Sequence, residues 1–207
     1  MFSRVKAEKK RLGAADRRRQ IVRCASTLVA ERGVDGVRMP EVAAAAGVTR
    51  VVVYRHFASR KEILAAVLAD FEDELSRRFR GLAPLLGGAD VDVAIHGFGE
   101  ATCDAIDAVG PGGWILLNMD GPDPDTAELG RAALARVNRP WLRRVQRYTG
   151  CDAHTAIIVS EMAVATSRAV LALYIAKKIT REEALSAMAR GGAGLLDAFR
   201  AAPKRRR

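Results

Sequence analysis

Residues 39–64 contain the pattern that most restricts how this chain can fold: a short alanine-rich segment, one glycine and a second short segment rich in valine. The first segment, residues 41–46, has small apolar side chains at helical spacing, which predicts a short helix able to pack closely on a neighbour. Gly47 is expected to end that helix, because glycine readily adopts the left-handed backbone of a tight turn. The pattern therefore predicts two short helices joined by a glycine turn.

The second helix of this unit is predicted to begin after Thr49, whose hydroxyl is expected to cap it, and to span residues 50–57. Val53 and Phe57 are four positions apart and share one face, which we expect to be buried. The face left outside carries Arg50, Val51, Tyr54 and Arg55. Arginine can donate to guanine edges, valine fits a thymine methyl and tyrosine can bond to phosphate, so this face predicts contact with double-stranded DNA.

The formal net charge of +10 is unevenly distributed along the chain. Residues 1–61 hold 15 Lys and Arg against 5 Asp and Glu, whereas residues 62–203 hold 15 against 19. Phosphate neutralisation can use such an excess, so the charges predict a basic nucleic-acid module attached to a mildly acidic body. Residues 1–14 are expected to form a flexible basic arm of that module, and the basic tail at residues 204–207 is expected to be solvated.

Three motifs together resemble the DNA-binding segment of the TetR family of bacterial transcription regulators: VAAAAGVT at 42–49, VYRHF at 53–57 and KEIL at 61–64. The resemblance implies a helix-turn-helix DNA-binding domain at residues 15–61 and a helical ligand-binding and dimerisation domain at residues 62–203. The residues expected to contact DNA are Arg38, Thr49, Arg50, Val51, Tyr54, Arg55, His56 and Lys61.

Helical periodicity continues through the rest of the chain, and no stretch alternates with the period of two that marks a half-buried strand. The chain is therefore predicted to be all-α. Asp16 is expected to cap the first helix and a capping box at Thr180 the last, whereas Pro140 is expected to break or kink a long helix. The predicted helices cover residues 16–32, 41–46, 50–57, 61–80, 92–108, 114–119, 126–148, 153–178 and 181–199.

The sequence lacks the usual motifs of catalysis: it contains no phosphate-binding loop, no zinc-protease helix motif and no nucleophile elbow. Its three histidines are scattered, and Cys24, Cys103 and Cys151 form no Cys-x-x-Cys pair. We therefore expect no enzyme activity, no catalytic residues, no metal and no cofactor. We also find no uninterrupted apolar run of about 18 residues and no secretory signal at residues 1–13, so a cytoplasmic protein without a membrane partner is expected.

By the same resemblance, the body is expected to bind a small, mainly apolar effector and to form a homodimer. The side chains expected to line the effector cavity are Phe98, Thr102, Trp114, Leu117, Asn118, Trp141 and Met162. The small residues expected at the dimer interface are Ala165, Ala169, Ala172, Ala187 and Gly191. Each of these side chains could instead belong to an ordinary helical core.

The expected function is a repressor that binds an inverted-repeat operator as a homodimer and leaves it when the effector binds. The main alternative is a constitutive DNA-binding protein whose C-terminal domain serves only dimerisation. A nucleoid protein that coats DNA through charge alone would differ by lacking a preference for one operator. An enzyme fused to a DNA-binding unit would require an acid–base site, which the sequence does not indicate.

Overall fold

The computed structural model describes residues 13–86, 91–118 and 124–200, so most of the predicted basic arm and all of the basic tail lie outside the described residues. Within the described residues every regular element is helical, which confirms the all-α prediction. A single turn of 3-10 helix, Val34–Gly36, follows the first α-helix. The α-helices are α1 (Ala14–Arg32), α2 (Met39–Ala45), α3 (Arg50–His56), α4 (Arg60–Leu86), α5 (Val91–Val109), α6 (Gly112–Leu117), α7 (Pro124–Thr149), α8 (Ala153–Ile175) and α9 (Arg181–Ala198).

The first three helices pack around a small apolar core that fixes the orientation of α3. Gly47 joins α2 to α3 with a φ of 61°, as the sequence predicts, and the Val48 amide closes the turn by donating to the Ala43 carbonyl at 3.0 Å. Val53 and Phe57 are buried against this core, which confirms their predicted orientation. Because α3 has only seven residues, these two anchors decide which of its faces is exposed.

The long helix α4 connects this unit to the rest of the protein, since it contacts α1 on one side and α5, α6 and α7 on the other. Its apolar stripe is buried as predicted and consists of Ile63, Leu64, Val67, Leu68, Phe71 and Leu75. The predicted end of this helix at residue 80 is wrong, because α4 continues through Gly81 to Leu86. A glycine inside a helix costs about 1 kcal/mol relative to alanine, and packing of α4 along α5, including Phe79 stacked on Phe98, offsets that cost.

Three other local predictions were wrong. The first helix begins at Ala14 with Gly13 at its N-cap, and Asp16 lies in the first turn, where it pairs with Arg19. Thr49 occupies the N-cap of α3, but its carbonyl rather than its hydroxyl accepts bonds from the helix. Pro140 does not interrupt α7. A proline inside a helix costs about 3 kcal/mol, and apolar side chains packed on both sides of residue 140 offset that loss.

The two terminal helices agree more closely with the sequence. Thr180 and Glu183 form the predicted capping box of α9, with both reciprocal hydrogen bonds present, and the amide bonds lower the pKa of the Glu183 carboxyl. Helix α8 ends at Ile175 rather than at 178, because Lys177 adopts a φ of 57° and reverses the chain. The amide of Lys178 then donates to the Leu173 carbonyl, which closes the helix end.

A cluster of ionic side chains ties four helices of the body together. Asp104 on α5 bridges Arg78 on α4 and Arg181 on α9, and Arg181 also bonds to Asp107 at 3.0 Å. Tyr174 on α8 donates to Asp107 at 2.7 Å, and burial together with this bond raises the pKa of the tyrosine to about 12. The cluster fixes α8 and α9 relative to α4.

The short helix α6 is wedged between the DNA-binding unit and the body. Ser26 on α1 is buried, and its hydroxyl accepts a hydrogen bond from the Gly112 amide at 2.9 Å. Gly113 lies directly against α4: a Cβ at this position would stand 2.2 Å from the Cβ of Phe71 and 3.1 Å from the Val67 carbonyl oxygen. This contact therefore requires glycine.

Replacing Gly113 by alanine is expected to lower the free energy of unfolding by about 1–3 kcal/mol, because the new methyl group cannot fit without moving α6 away from α4. Gly194→Ala is the matched control, since Gly194 is an exposed helical glycine at which an added Cβ would meet nothing within 4 Å. In that control, the free energy of unfolding should rise by up to about 1 kcal/mol. Urea denaturation of both variants checks the difference; equal stabilities would contradict a tight α4–α6 contact.

Candidate functional site

The outer face of α3 carries large side chains that the fold itself does not use. Val51 is 68% exposed and Tyr54 is 55% exposed, and Arg50 and Arg55 are exposed beside them. The opposite face holds the buried Val53. This arrangement confirms the predicted exposure of the four side chains. Two guanidinium groups, a phenol and a valine methyl surface are suited to base edges, phosphate and thymine methyl groups.

The remaining predicted DNA contacts surround this face. Arg38 is exposed at the N-terminus of α2, Thr49 at the N-terminus of α3 and Lys61 near the start of α4. His56 is partly exposed at the end of α3. The structure thus brings exposed helix starts and basic side chains to one side of the helix-turn-helix unit, where helix N-termini favour anions. Their contacts with DNA remain a prediction.

Two polar side chains that the sequence did not single out hold this unit together. Gln20 on α1 donates to the carbonyl of Ala46 at the end of α2, at 2.9 Å. Arg60 donates to the Val34 carbonyl at 3.0 Å and lies 3.4 Å from an oxygen of Asp35, so it joins α4 to the turn after α1. No local pattern marks these bonds, because each joins residues 25 or 26 positions apart.

The arginines of α1 have intramolecular partners as well. Arg17 donates to Gln20, Arg19 pairs with Asp16, and the guanidinium of Arg18 lies 5.0 Å from the centre of the Phe57 ring. The last contact is a cation–π interaction, which pins α1 to the end of α3. These partners give the basic face of α1 a structural role beside any attraction to phosphate.

A cavity of about 80 Å³ lies within the body, between α5, α6, α7, α8 and α9. Four of the seven predicted lining residues surround it: Phe98, Trp114, Leu117 and Trp141. Phe98 and Trp141 meet edge to face with ring centres 5.3 Å apart. The other lining residues are Ile95, Leu134, Val137, Val145, Ser160, Ala163, Val164, Thr166, Ser167, Met188, Gly192 and Leu196. The wall is therefore mainly apolar, as predicted.

Three predicted lining residues lie elsewhere. Thr102 is fully buried, but its hydroxyl donates to the Phe98 carbonyl one turn earlier. Asn118 donates through its side-chain amide to the Trp114 carbonyl at 2.8 Å, at the end of α6. Met162 is 43% exposed, because it stands two positions after Ser160 and therefore on another side of α8. Sequence reasoning placed only Met162 of α8 at the cavity, and it missed the α8 residues that do line it, such as Ser160 and Val164, and the wall supplied by α9.

The outer face of α8 exposes several large apolar side chains, beside small exposed residues of α8 and α9. These large side chains are Ile157, Ile158, Met162 and Leu173. Of the predicted interface residues, Ala165, Ala169, Ala172 and Ala187 are exposed and Gly191 is half-buried. By length and composition, α8 is also the one helix in the described residues that could cross a membrane, with 22% of its most apolar window buried. Since its other side forms the cavity wall, the exposed side alone needs a covering partner.

Cys103 is a buried titratable group in the body of the protein. It lies on α5, and burial raises the pKa of its thiol to about 11, so it stays protonated at neutral pH. Across residues 13–86, 91–118 and 124–200, no cluster of three His, Cys, Asp or Glu side chains could hold a metal ion. The described wall of the cavity therefore offers mainly apolar surface.

Comparison with known proteins agrees with these features. The family described as bacterial regulatory proteins of the tetR family matches residues 21–67. The repressor KstR2 of Rhodococcus jostii is 30% identical over 96 residues, 46% of each chain, so the match spans about half of that relative. The activator FasR of Mycolicibacterium smegmatis is 29% identical over 158 residues, 76% of this chain and 71% of FasR.

Among solved structures, the ketosteroid transcriptional regulator KstR2 of Mycobacterium tuberculosis superimposes with a TM-score of 0.61 at 17% identity, over 88% of this chain and 94% of that one. At this identity the similarity shows a shared fold. The helix-turn-helix match lies where the exposed α3 face stands, and the fold extends through the body. Residues 21–67 therefore match the DNA-binding segment of the TetR family of transcriptional regulators, and the described part of the chain shares the fold of solved regulators of that family.

Proposed function

We propose that this regulator is a ligand-responsive repressor, which binds an inverted-repeat operator as a homodimer and is released by a small, mainly apolar effector. Residues 15–61 would bind DNA in the cytoplasm, and residues 62–203 would bind the effector and dimerise. The observation that carries the proposal is the position of α6. Trp114 and Leu117 line the cavity, while the Gly112 amide at the start of the same helix bonds to Ser26 of the DNA-binding unit.

Helix α6 would couple binding of the effector to the position of the DNA-binding unit. It has only six residues, so a ligand that displaces Trp114 must also shift or bend the segment that touches α1 and α4. Gly113 leaves no free space against Phe71, and such close packing transmits displacement rather than absorbing it. The effector then favours the state in which α1 and α3 have moved, provided that it binds that state more tightly.

The volume of the cavity supports a change of shape on binding. About 80 Å³ is well below the range of roughly 300–1,000 Å³ of pockets that hold drug-sized ligands. An effector of that size would therefore bind a wider form of the body, which is what a two-state switch requires. The same small volume also favours the alternative, a constitutive DNA-binding protein whose body serves only dimerisation.

Dimerisation through α8 and α9 is supported by the exposed apolar side chains of α8 and by the small exposed residues of both helices. A single recognition helix reads only a few base pairs, so a two-fold dimer that places two such helices about 34–36 Å apart gives the specificity of an operator. Small residues such as Ala165 and Ala169 allow two helices to approach closely. The similar regulators include both repressors and an activator. An effector that displaces the recognition helices would release the protein from its operator, and this is the behaviour of a repressor.

Substitutions on the α3 face should separate base reading from phosphate binding. Arg50→Ala is expected to cost about 1–3 kcal/mol on the operator and to relax the preference at one position of each half-site. Tyr54→Phe and Lys61→Ala are expected to weaken binding to operator DNA and to scrambled DNA by the same factor, because phosphates carry no sequence information. Arg143→Ala, which removes an exposed charge on α7, is the control. Titration of both DNAs tests the split, and an equal loss on both for Arg50→Ala would disprove base reading.

The proposed dimer interface predicts that bulk and charge at Ala169 are not tolerated. Ala169→Arg should raise the dimer dissociation constant by at least about 10-fold, because overpacking costs about 1–3 kcal/mol and the buried charge adds to it. Ala135→Arg places the same side chain on an exposed position of α7 and should leave the dimer intact. Sedimentation velocity at micromolar concentration measures both variants. A wild-type monomer would refute the homodimer.

The effector half of the proposal predicts reciprocal coupling with DNA. A thermal-shift screen of lipids, acyl-CoA esters, aromatic compounds and antibiotics should find a ligand that stabilises the fold by about 2.7 kcal/mol at 100 times its dissociation constant. That ligand must lower operator affinity, and operator must lower ligand affinity by the same factor. Ser26→Ala should reduce this factor, whereas Thr27→Ala, its exposed neighbour on α1, should not. A cavity ligand without any effect on operator affinity would leave the constitutive alternative.

A further inference from the structure

The cavity wall contains a buried polar atom that no protein group satisfies among the described residues. Ser160 on α8 is 6% exposed, and its hydroxyl oxygen has neither solvent contact nor a hydrogen-bond partner. Hydroxyls inside helices often bond to the carbonyl one turn earlier. Thr102, Thr149 and Thr166 all do so in this protein. Ser160 therefore departs from the pattern that these three helical hydroxyls follow.

An unpaired buried hydroxyl weakens a fold, because the group has lost its bonds to water and gained none in return. Alanine at this position would avoid the loss, and α8 already has alanines at 156 and 163 on the same side. A serine that costs stability and lines a cavity is expected where a ligand supplies the missing partner. Its surroundings are apolar, including Val164 and Trp141, so the hydroxyl marks one defined polar point in the cavity.

The charge of the wall restricts what that ligand can be. Among the described residues, none of the side chains that line the cavity is ionisable; Ser160, Thr166 and Ser167 carry hydroxyls, and Trp114 and Trp141 carry indole N–H groups. The hydroxyl of Thr166 already donates to the Met162 carbonyl. A carboxylate or an amine placed inside would lose its hydration with no opposite charge to replace it, which is far more costly than burying a neutral oxygen.

We propose that Ser160 is the polar anchor of the cavity and that the effector is uncharged: an apolar skeleton carrying a neutral oxygen, such as a ketone or a hydroxyl, that bonds to the Ser160 hydroxyl. This inference rests on the proposed role of the cavity as the effector site. Ser167 lines the cavity two helical turns further along α8, about 10 Å by the rise of a helix, so in the wider form of the body this wall would lie along an elongated skeleton.

Two pairs of probes distinguish a ligand with a linear skeleton from one with a polycyclic skeleton. The first compares 2-undecanone with undecanoate at pH 8, and the second compares androst-4-ene-3,17-dione with a steroid carboxylate of the same ring system. Both tryptophans of the chain, Trp114 and Trp141, line the cavity, so quenching of intrinsic fluorescence reports its occupancy. In at least one pair the neutral ketone should bind at least about 10-fold more tightly than the carboxylate.

Ser160→Ala tests the anchor itself. It should weaken binding of the neutral ketone by about 3- to 10-fold, the range of one net hydrogen bond, and leave the carboxylate unaffected. The melting temperature of the ligand-free variant should stay the same or rise, since the substitution removes an unsatisfied group. Ser160→Thr, which keeps a hydroxyl, should retain part of the preference. Ser186→Ala, an exposed serine on α9, is the matched control and should change neither quantity.

Four results would overturn the inference. A lower melting temperature for ligand-free Ser160→Ala would show that the hydroxyl serves the fold. Equal ketone affinity in Ser160→Ala and wild type would reject the anchor, and if the ketone still released operator DNA, the proposed function would stand. Tighter binding of the carboxylates, or no binding of either ketone by wild type, would reject the neutral ligand class. If the wild-type protein still bound its operator specifically, the DNA-binding part of the proposed function would stand.

Discussion

The contact of α6 with α1 and α4 is the constraint on which the rest of the structure depends. Two glycines allow it: Gly112 donates to the buried Ser26 hydroxyl, and Gly113 lies where any side chain would overlap Phe71. Because the backbone approaches so closely, α6 cannot shift alone. Its other side forms part of the cavity wall through Trp114. One short helix thus joins the DNA-binding unit, the connecting helix and the candidate effector site.

Helix α8 has two different faces, and each supports one part of the proposed function. One face lines the cavity with Ser160 and small apolar side chains, and the other exposes Ile157 and Ile158 to solvent. The ionic cluster around Asp104 and Arg181 fixes the C-terminal helices relative to α4. A molecule that widens the cavity would therefore act on the same helices that are proposed to hold the dimer together, and so on the spacing of the two α3 helices.

Much of the architecture follows from local patterns. The glycine turn at Gly47, the burial of Val53 and Phe57, the apolar stripe of α4 and the capping box at Thr180 are all decided by residues within one or two turns of each other. The predicted interruptions of α4 and α7 failed for one shared reason. Gly81 and Pro140 are unfavourable in isolated helices, but long helices packed along their whole length tolerate that cost.

The sequence by itself determined the helical class, the helix-turn-helix unit and the exposed face of α3, because helical periodicity and turn chemistry are local properties. The tertiary structure alone decided which side chains meet. It joined Phe98, Trp114 and Trp141 in one cavity, excluded Thr102 and Met162 from it, and left the Ser160 hydroxyl without a partner among the described residues. These outcomes depend on how helices far apart in the chain are rotated and spaced against each other, which no single segment encodes.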